Sequence, residues 1–277
     1  MDLLHVAAAL ASALLHAGWN AAVKASPHPK EAMTAQMLTS AAIVLPGLLW
    51  TGLPAPASWI WIAASTSLNL ATVTSLLRAY ELSGFGIVYP VVRALSVLLV
   101  VPLAAALSGE MLSPFGMAGI GLVASSLLLL SIGKGQGGVP RAAFGWIAIA
   151  GIGTAAYVMC DAQGVRLAGS PFAYGFAVSV TNAVAMSRRQ YAIARPWRIL
   201  ASHAATGVPT AIAAVTSYLL ILWVWSGAPI APAAALRDTS AVFALVIAIL
   251  WLKEPFTRLR LVAILLSAAA VPLLRFA

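Results

Sequence analysis

The stretch from residue 84 to residue 113, GFGIVYPVVRALSVLLVVPLAAALSGEMLS, decides the fold, because the chain contains a second version of it. The second version, APIAPAAALRDTSAVFALVIAILWLKEPFT, runs from residue 228 to residue 257. Each copy is an apolar run with a proline near its start, then an arginine, a serine three residues later and a glutamate at its end. Three polar positions therefore recur 144 residues later without a gap, Arg93 as Arg237, Ser96 as Ser240 and Glu110 as Glu254.

Both arginines lie about ten residues into an apolar run, which at roughly 1.5 Å of rise per residue is near the middle of a bilayer. A charged side chain at that depth costs several kcal/mol unless it faces a partner or a water-filled cavity. Such a residue therefore marks a functional site by default. Two of them in the same register predict a duplicated membrane transporter fold.

The composition excludes a soluble protein. Of the 277 residues, 62% are hydrophobic and 8% are charged, whereas a soluble domain carries about a quarter charged residues. The net charge of +9 does not indicate nucleic-acid binding, because the basic residues lie in short loops between apolar runs, where they set topology. The single cysteine, Cys160, excludes an intrachain disulfide and a multi-cysteine metal site.

The apolar runs predict an all-α integral membrane protein with ten transmembrane helices, since about 20 apolar residues span a bilayer. The ten helices are predicted at about 3–23, 32–52, 57–79, 84–107, 114–133, 142–161, 171–192, 202–226, 229–252 and 259–276. The first five-helix repeat is predicted at 1–133 and the second at 142–277, with a Gly-rich connector at 134–141. Because five is an odd number, the second repeat is expected to be inverted relative to the first.

The placement of lysines and arginines predicts the orientation. With the N-terminus outside, twelve basic residues fall in or beside loops that face the cytoplasm, and two fall on the opposite side. The twelve are Lys24, Lys30, Arg78, Lys134, Arg141, Arg188, Arg189, Arg195, Arg198, Lys253, Arg258 and Arg260, and the two are Arg166 and Arg275. We therefore expect a protein of the inner (plasma) membrane with both termini outside, in the periplasm. No Lys or Arg precedes the first apolar run, so this run is expected to be retained as a helix.

Helices four and nine carry the first candidate site residues on one face each. They are Tyr89, Arg93 and Ser96 on helix four, and Arg237 and Ser240 on helix nine. Two interpretations stay open for the arginines. They either line a central pathway and attract an anionic group, such as an amino acid carboxylate, or form structural ion pairs with Asp161 or Asp238.

Helices one, three and six supply the other candidates, which are His16, Trp19, Asn20, Tyr80, Tyr157 and Asp161. His16 and Asn20 share a face of helix one, where they either contact substrate or hydrogen-bond to a neighbouring helix. His16 could also titrate near neutral pH and couple transport to protons. Tyr80 could stack on a flat substrate. Asp161 is expected near the end of its helix, in contact with water.

Enzyme motifs are missing from the sequence. It contains no HExxH, no GxSxG, no Walker loop and no GxGxxG after a strand, and its histidines are not spaced as metal ligands. We therefore expect neither catalytic activity nor a cofactor. Since a Walker loop is missing, we also expect that this chain does not hydrolyse ATP to drive transport.

Three segments resemble a known family: HAGWNAAVK at 16–24, SGEMLSPFGMAGIGL at 108–122 and KEPFTRLRLVAILL at 253–266. With ten helices in two inverted sets of five, the whole chain resembles the EamA branch of the drug/metabolite transporter superfamily. The resemblance implies export or exchange of small metabolites, commonly amino acids, and similarity to the aromatic amino acid exporters of that branch. The two Glu-containing turns differ, so the site need not be symmetric. Glu110 and Glu254 are expected to cap backbone groups rather than bind substrate.

The expected function is therefore secondary transport of small zwitterionic or anionic metabolites, most of all amino acids, by alternating access. Helices one, three, four, six, eight and nine are expected to line a cavity between the repeats. One alternative is a multidrug or nucleotide-sugar carrier of the same superfamily. Another is a membrane sensor or assembly subunit that transports nothing. The expected partners are the small-molecule substrate and the lipid bilayer; the oligomeric state is left open, and a monomer is sufficient.

Overall fold

The structure, a computed structural model, describes residues 1–83, 85–131, 140–191, 195–251 and 257–277. In these ranges all regular secondary structure is helical. The α-helices are α1 (Leu3–Ala25), α2 (Pro29–Thr51), α3 (Trp59–Leu82), α4 (Phe85–Ser108), α5 (Pro114–Ser131), α6 (Arg141–Leu167), α7 (Pro171–Gln190), α8 (Pro196–Ser202), α9 (Ala204–Gly227), α10 (Ile230–Asp238), α11 (Ser240–Trp251) and α12 (Arg258–Arg275). A 3-10 turn at Pro56–Ser58 precedes α3.

Seven helical spans of the described ranges are long and apolar enough to cross a membrane. They are Leu3–Val23, Pro29–Thr51, Pro56–Leu82, Val88–Ser108, Arg141–Leu167, Ala204–Gly227 and Ile230–Ile247. A further apolar helix, Pro114–Leu130, is shorter. These spans fit an all-α, multi-pass membrane protein, because a helix of about 20 apolar residues crosses the hydrocarbon core of a bilayer.

The helices pack in a small set of pairs. α3 packs along α6, and α1 packs along α9. α4 also packs on α6, while α10 and α11 pack on α1. α2 packs against α7, and α5 against α12. The close approach of α5 to α12 depends on Gly119, because a Cβ at that position would lie 2.8 Å from Cγ of Leu274.

One end of the bundle, here called the terminal end, holds both chain termini. The amino group of Met1 donates to the carbonyl of Arg275 at 2.6 Å. Three chain reversals at this end use glycines with positive φ, namely Gly52, Gly109 and Gly169. A left-handed backbone is costly for other residues, which explains glycine at these turns. The Asp2 carboxylate caps α1 by accepting the N–H of His5 at 2.8 Å, and this bond lowers the pKa of that carboxyl.

The opposite end, here called the basic end, carries ten of the Lys and Arg positions in the described ranges. They are Lys24, Lys30, Arg78, Arg141, Arg188, Arg189, Arg195, Arg198, Arg258 and Arg260. Its acidic groups are engaged: Glu81 accepts from Lys30 and from Arg78, each at 2.6 Å. Of the described Lys and Arg residues, the terminal end carries Arg166 and Arg275. The structure thus separates the basic residues between the two ends as the sequence predicts.

The ninth predicted helix, 229–252, is not continuous. It is divided at Thr239 into α10 and α11. The N–H of Thr239 donates to the carbonyl of Leu236, three residues earlier, at 3.3 Å, and the Thr239 hydroxyl donates to the same oxygen at 2.6 Å. This tight turn lies directly after Arg237 and Asp238. A short 3-10 turn inside a helix often marks a functional hinge.

Two other helices differ from the prediction. α6 continues to Leu167, so Asp161 is inside its helix and only 2% exposed. The expectation of a water-exposed Asp161 at a helix end is therefore wrong. The short helix α8, Pro196–Ser202, was not predicted. Most of the predicted connector, together with Lys134, Lys253 and Glu254, lies outside the described residues.

Candidate functional site

A cavity of about 170 Å³ lies in the middle of the bundle. This volume is roughly ten times what a single water molecule needs, so the cavity has room for a small solute. Most of its polar lining residues come from the middle of helices rather than from loops. They are His16, Asn20, Gln36, Ser40, Asn69, Thr72, Tyr89, Arg93, Thr154, Tyr157, Asp161, Ser179, Asn182, Tyr218 and Arg237.

Arg93 on α4 is held by three partners. Its guanidinium donates to Oδ1 of Asp238 at 3.0 Å and contacts Nε2 of His16 at 2.5 Å. It also lies 5.1 Å from the centre of the Tyr89 ring, within the range of a cation–π interaction. Arg93 is 7% exposed and Asp238 is 4% exposed. The structural ion-pair interpretation therefore describes Arg93, although Arg93 also lines the cavity.

The contact with Arg93 fixes the tautomer of His16. A guanidinium can only donate, so Nε2 of His16 must accept, and the proton of the neutral ring must sit on Nδ1. Nδ1 is buried and has no hydrogen-bond partner. The ring also packs edge-on against Trp19, with centroids 5.0 Å apart. His16 therefore steadies Arg93 with one nitrogen and presents a donor with the other.

Arg237 differs from Arg93, although the two align in the sequence. Among the described residues it makes no hydrogen bond or ion pair, and its buried Nε has no partner. It is 6% exposed and lines the cavity. Its guanidinium lies 5.7 Å from the centre of the Trp225 ring, and Trp225 is fully buried. An unsatisfied cation in this position is costly unless a ligand or water meets it.

Asp161 on α6 is the second buried carboxylate. Its Oδ1 accepts from Ser65 at 2.6 Å and from Tyr174 at 3.2 Å. Arg237 attracts this carboxylate as well as that of Asp238, but forms an ion pair with neither in the described structure. Asp161 lines the cavity. The site thus contains two arginines and two aspartates, with one ion pair formed and one cation and one anion held apart.

Five buried polar atoms around the cavity have no partner in the described structure. Three are donors: Nε of Arg237, Nε1 of Trp19 and, in the tautomer derived above, Nδ1 of His16. The other two are the hydroxyl oxygens of Thr72 and Tyr218. Buried polar groups are nearly always hydrogen-bonded, so this cluster points to a bound solute or water. Donors outnumber acceptors, which favours a ligand with acceptor oxygens.

The structure brings eight of the eleven candidate residues to the cavity. They are His16, Trp19, Asn20, Tyr89, Arg93, Tyr157, Asp161 and Arg237. Three candidates lie outside the lining. Ser240 exchanges a hydrogen bond with Tyr89 at 3.2 Å, Ser96 is 1% exposed in helix packing, and Tyr80 packs against apolar clusters. These three do not line the cavity, and their part in a substrate pathway stays a prediction.

Sequence reasoning missed the contributions of α2 and α7. Gln36 and Ser40 on α2 and Ser179 and Asn182 on α7 line the cavity. Gln36 donates to Ser40 at 2.8 Å, which fits their i, i+4 spacing. The sequence signal that could have identified these positions is a pair of polar residues inside an apolar run, Gln36 and Ser40 on α2 and Ser179 and Asn182 on α7.

Paired polar groups lie between the cavity and the terminal end. The hydroxyls of Ser12 and Ser217 each donate to the other residue's carbonyl, at 2.7 and 2.8 Å. Nearer the surface, Arg166 donates to Glu110 at 3.1 Å and to the carbonyls of Trp225 and Ala228. Glu110 in turn accepts the N–H of Ile230 at 2.7 Å, so it caps α10 as predicted.

Toward the basic end the cavity is bordered by an apolar cluster. Val23, Ala32, Met33 and Met186 form a separate buried cluster, with Trp19, Met37, Leu70 and Val73 packed against it. Methionine side chains are flexible and repack easily. The two sides of the cavity therefore differ in chemistry, with hydrogen bonds toward the terminal end and soft apolar contacts toward the basic end.

No protein-family model matches the chain, and no curated protein matches it. Among solved structures, 29 chains are similar to it. One of them, described only as the crystal structure of a protein, is similar over 98% of this chain and 94% of its own, with a TM-score of 0.75 and 16% sequence identity. At this identity the likeness concerns the fold alone.

Proposed function

We propose that the protein is a secondary transporter that moves small metabolites, most of all amino acids, by alternating access through the central cavity. The observation that carries this proposal is the buried Arg237, which has no ion-pair partner in the described part of the chain and lies at a solute-sized cavity in the middle of the helix bundle. Ionisable residues at that depth mark substrate pathways because burying them is expensive. A purely structural role would favour a paired arginine, such as Arg93.

The proposed architecture is two inverted five-helix repeats, as in the EamA branch of the drug/metabolite transporters. The helix packing supports it. The shift of 144 residues relates α1 to α6 and α3 to α9, and the α3–α6 pair then corresponds to the α9–α1 pair. The α2–α7 and α5–α12 pairs correspond to themselves. Substrate sites of inverted-repeat transporters lie at the repeat interface and often use discontinuous helices, and the α10–α11 interruption beside Arg237 fits that pattern.

The proposed orientation places the basic end in the cytoplasm of a cell whose inner membrane holds the protein. The positive-inside rule supports it, since ten described basic positions lie at that end and two at the other. The termini would then be outside. Export would begin with entry past the methionine-containing cluster and would end with opening of the Ser12–Ser217 and Glu110–Arg166 contacts.

Two rival functions make different demands on the same cavity. A nucleotide-sugar or multidrug carrier would need a larger opening, whereas about 170 Å³ and a set of donors favour a compact solute with carboxylate oxygens. A sensor or assembly subunit would need no water-accessible pathway. The unpartnered polar atoms favour a site that exchanges ligand.

Counterflow in proteoliposomes tests the proposed function. Vesicles loaded with unlabelled phenylalanine, threonine or alanine are given the labelled amino acid outside, with and without a pH gradient. We expect saturable uptake that requires the loaded amino acid. Absence of exchange with every amino acid, in a preparation shown to be folded by its cooperative melt, would exclude the amino acid assignment and direct the search to the rival carriers.

A further inference from the structure

The two aligned arginines have different partners, and this difference assigns them different tasks. Arg93 is neutralised by Asp238 at 3.0 Å, while Arg237 has no ion pair within the described residues. A ligand carboxylate that approached Arg93 would have to compete with Asp238 and with His16. A ligand that approached Arg237 would displace nothing but water and would satisfy an orphaned donor.

We infer that Arg237 is the group that binds the carboxylate of the transported solute, and that Arg93 is a positioning residue that holds α1, α4 and α10 around it. This inference rests on the proposed function and names the ligand chemistry of its site. Nε1 of Trp19 and Nδ1 of His16 line the same cavity and are the further donors available to the carboxylate. A guanidinium can bind a carboxylate through two parallel hydrogen bonds, which gives affinity and orientation together.

The charge balance of the cavity extends the inference to the whole ligand. Two arginines and two aspartates give the site no net formal charge, so an anionic ligand would leave one negative charge uncompensated in a buried place. A zwitterion adds no net charge, so the site with its ligand stays neutral. Asp161 accepts hydrogen bonds from Ser65 and Tyr174 at its Oδ1 and lines the cavity. It forms no ion pair with a described residue, so its charge can balance an ammonium group. The site therefore favours a zwitterion over the corresponding anion or cation.

The different pairing of the two arginines follows from a difference between the helices that carry them. Arg93 lies in the continuous helix α4, one turn after Tyr89, and reaches Asp238 across the bundle. Arg237 lies one residue before Asp238, so the two side chains leave α10 about 100° apart around its axis. Asp238 is thereby directed to the other repeat's arginine, and its own neighbour stays unpaired.

Binding to the purified full-length protein tests this inference. Labelled phenylalanine is competed with phenylalaninamide, which has no carboxylate, and with N-acetylphenylalanine, which has no ammonium. The wild type is expected to bind phenylalanine at least 10-fold more tightly than either analogue. Arg237→Gln is expected to weaken phenylalanine binding by roughly 10- to 100-fold, the loss typical of a charged hydrogen-bond partner, and to abolish the preference for acid over amide.

Thermal melts of the same variants provide the readout that separates the two arginines. Arg237→Gln is expected to lower Tm by less than Arg93→Gln does, because Arg237 forms no ion pair with a described residue. Arg93→Gln is expected to lower Tm, because it leaves Asp238 charged and alone, and Arg93→Gln/Asp238→Asn is expected to recover most of that loss.

Unchanged acid-over-amide preference in Arg237→Gln, or a fall in its Tm equal to that of Arg93→Gln, would overturn the assignment. A wild type that binds none of the three compounds would overturn it as well. Counterflow of another solute by that same preparation would still support transport, so the two failures are distinguishable.

Discussion

The buried ion pair between Arg93 and Asp238 makes a strong prediction about stability. Asp238→Asn keeps the shape of the side chain and removes its charge. Asp238 is 4% exposed and its Oδ1 lies 3.0 Å from the Arg93 guanidinium, so the variant leaves a buried cation without its counter-charge. Breaking such a pair by removing one partner costs roughly 3–5 kcal/mol.

For a chain of 277 residues, each kcal/mol corresponds to about 2 °C in Tm. We therefore expect Asp238→Asn to melt roughly 6–10 °C below the wild type, measured by tryptophan fluorescence of the purified protein in detergent. The matched control is Glu81→Gln, which breaks the ion pairs to Lys30 and Arg78 at the basic end, where the Glu81 side chain is 39% exposed. Each exposed pair contributes about 0–1 kcal/mol, so this control, which loses two such pairs, should melt within about 4 °C of the wild type.

The double variant Arg93→Gln/Asp238→Asn completes the cycle. If the two residues stabilise the fold as a pair, the double variant loses much less than the sum of the single losses. Equal melting of Asp238→Asn and Glu81→Gln, or simple additivity in the cycle, would refute the reasoning that this contact holds α4 to α10.

Two further predictions concern helix packing and water access. Gly119→Ala is expected to lower Tm, because the added methyl would lie 2.8 Å from Leu274 and overpacking costs roughly 1–3 kcal/mol. Gly121→Ala on the same helix meets nothing within 4 Å and is the control; equal melts would contradict close packing of α5 on α12. In a Cys160→Ser background, Asn182→Cys at the cavity is expected to react with a small water-soluble thiol reagent and to be protected by phenylalanine. Ser217→Cys, in the buried contact with Ser12, is expected to stay unreactive; an inert Asn182→Cys would favour the sensor alternative.

Much of the fold could be predicted from the sequence because the relevant signals are local. Apolar runs of about 20 residues place helices without reference to the rest of the chain, and the basic residues between them separate the two ends. The interruption at Thr239 could not be predicted in this way, since Arg237, Asp238 and Thr239 are compatible with a continuous helix. Asp161 was misplaced for a related reason: α6 continues through polar residues to Leu167 because its neighbours bury them.

The candidate site could be predicted only in part. Helix periodicity placed His16, Tyr89, Arg93 and Asp161 on faces that the structure turns to the cavity, because i and i+4 positions share a face in any helix. It could not exclude Ser240, since that serine is near the cavity but bonded to Tyr89. The polar residues of α2 and α7 were missed because their faces depend on where those helices pack.

The sequence by itself determined that two arginines align at a shift of 144 residues, each within an apolar run, and it predicted their depth near the middle of a membrane span. Depth in the bilayer follows from counting residues along a helix, and no other helix need be known. Only the tertiary structure decided that Arg93 is paired and that Arg237 has no ion-pair partner among the described residues. Asp238 is the sequence neighbour of Arg237 but pairs with Arg93, 145 residues away. Which arginine is paired therefore depends on how α4 and α10 pack against each other, and residue spacing along the chain does not reveal it.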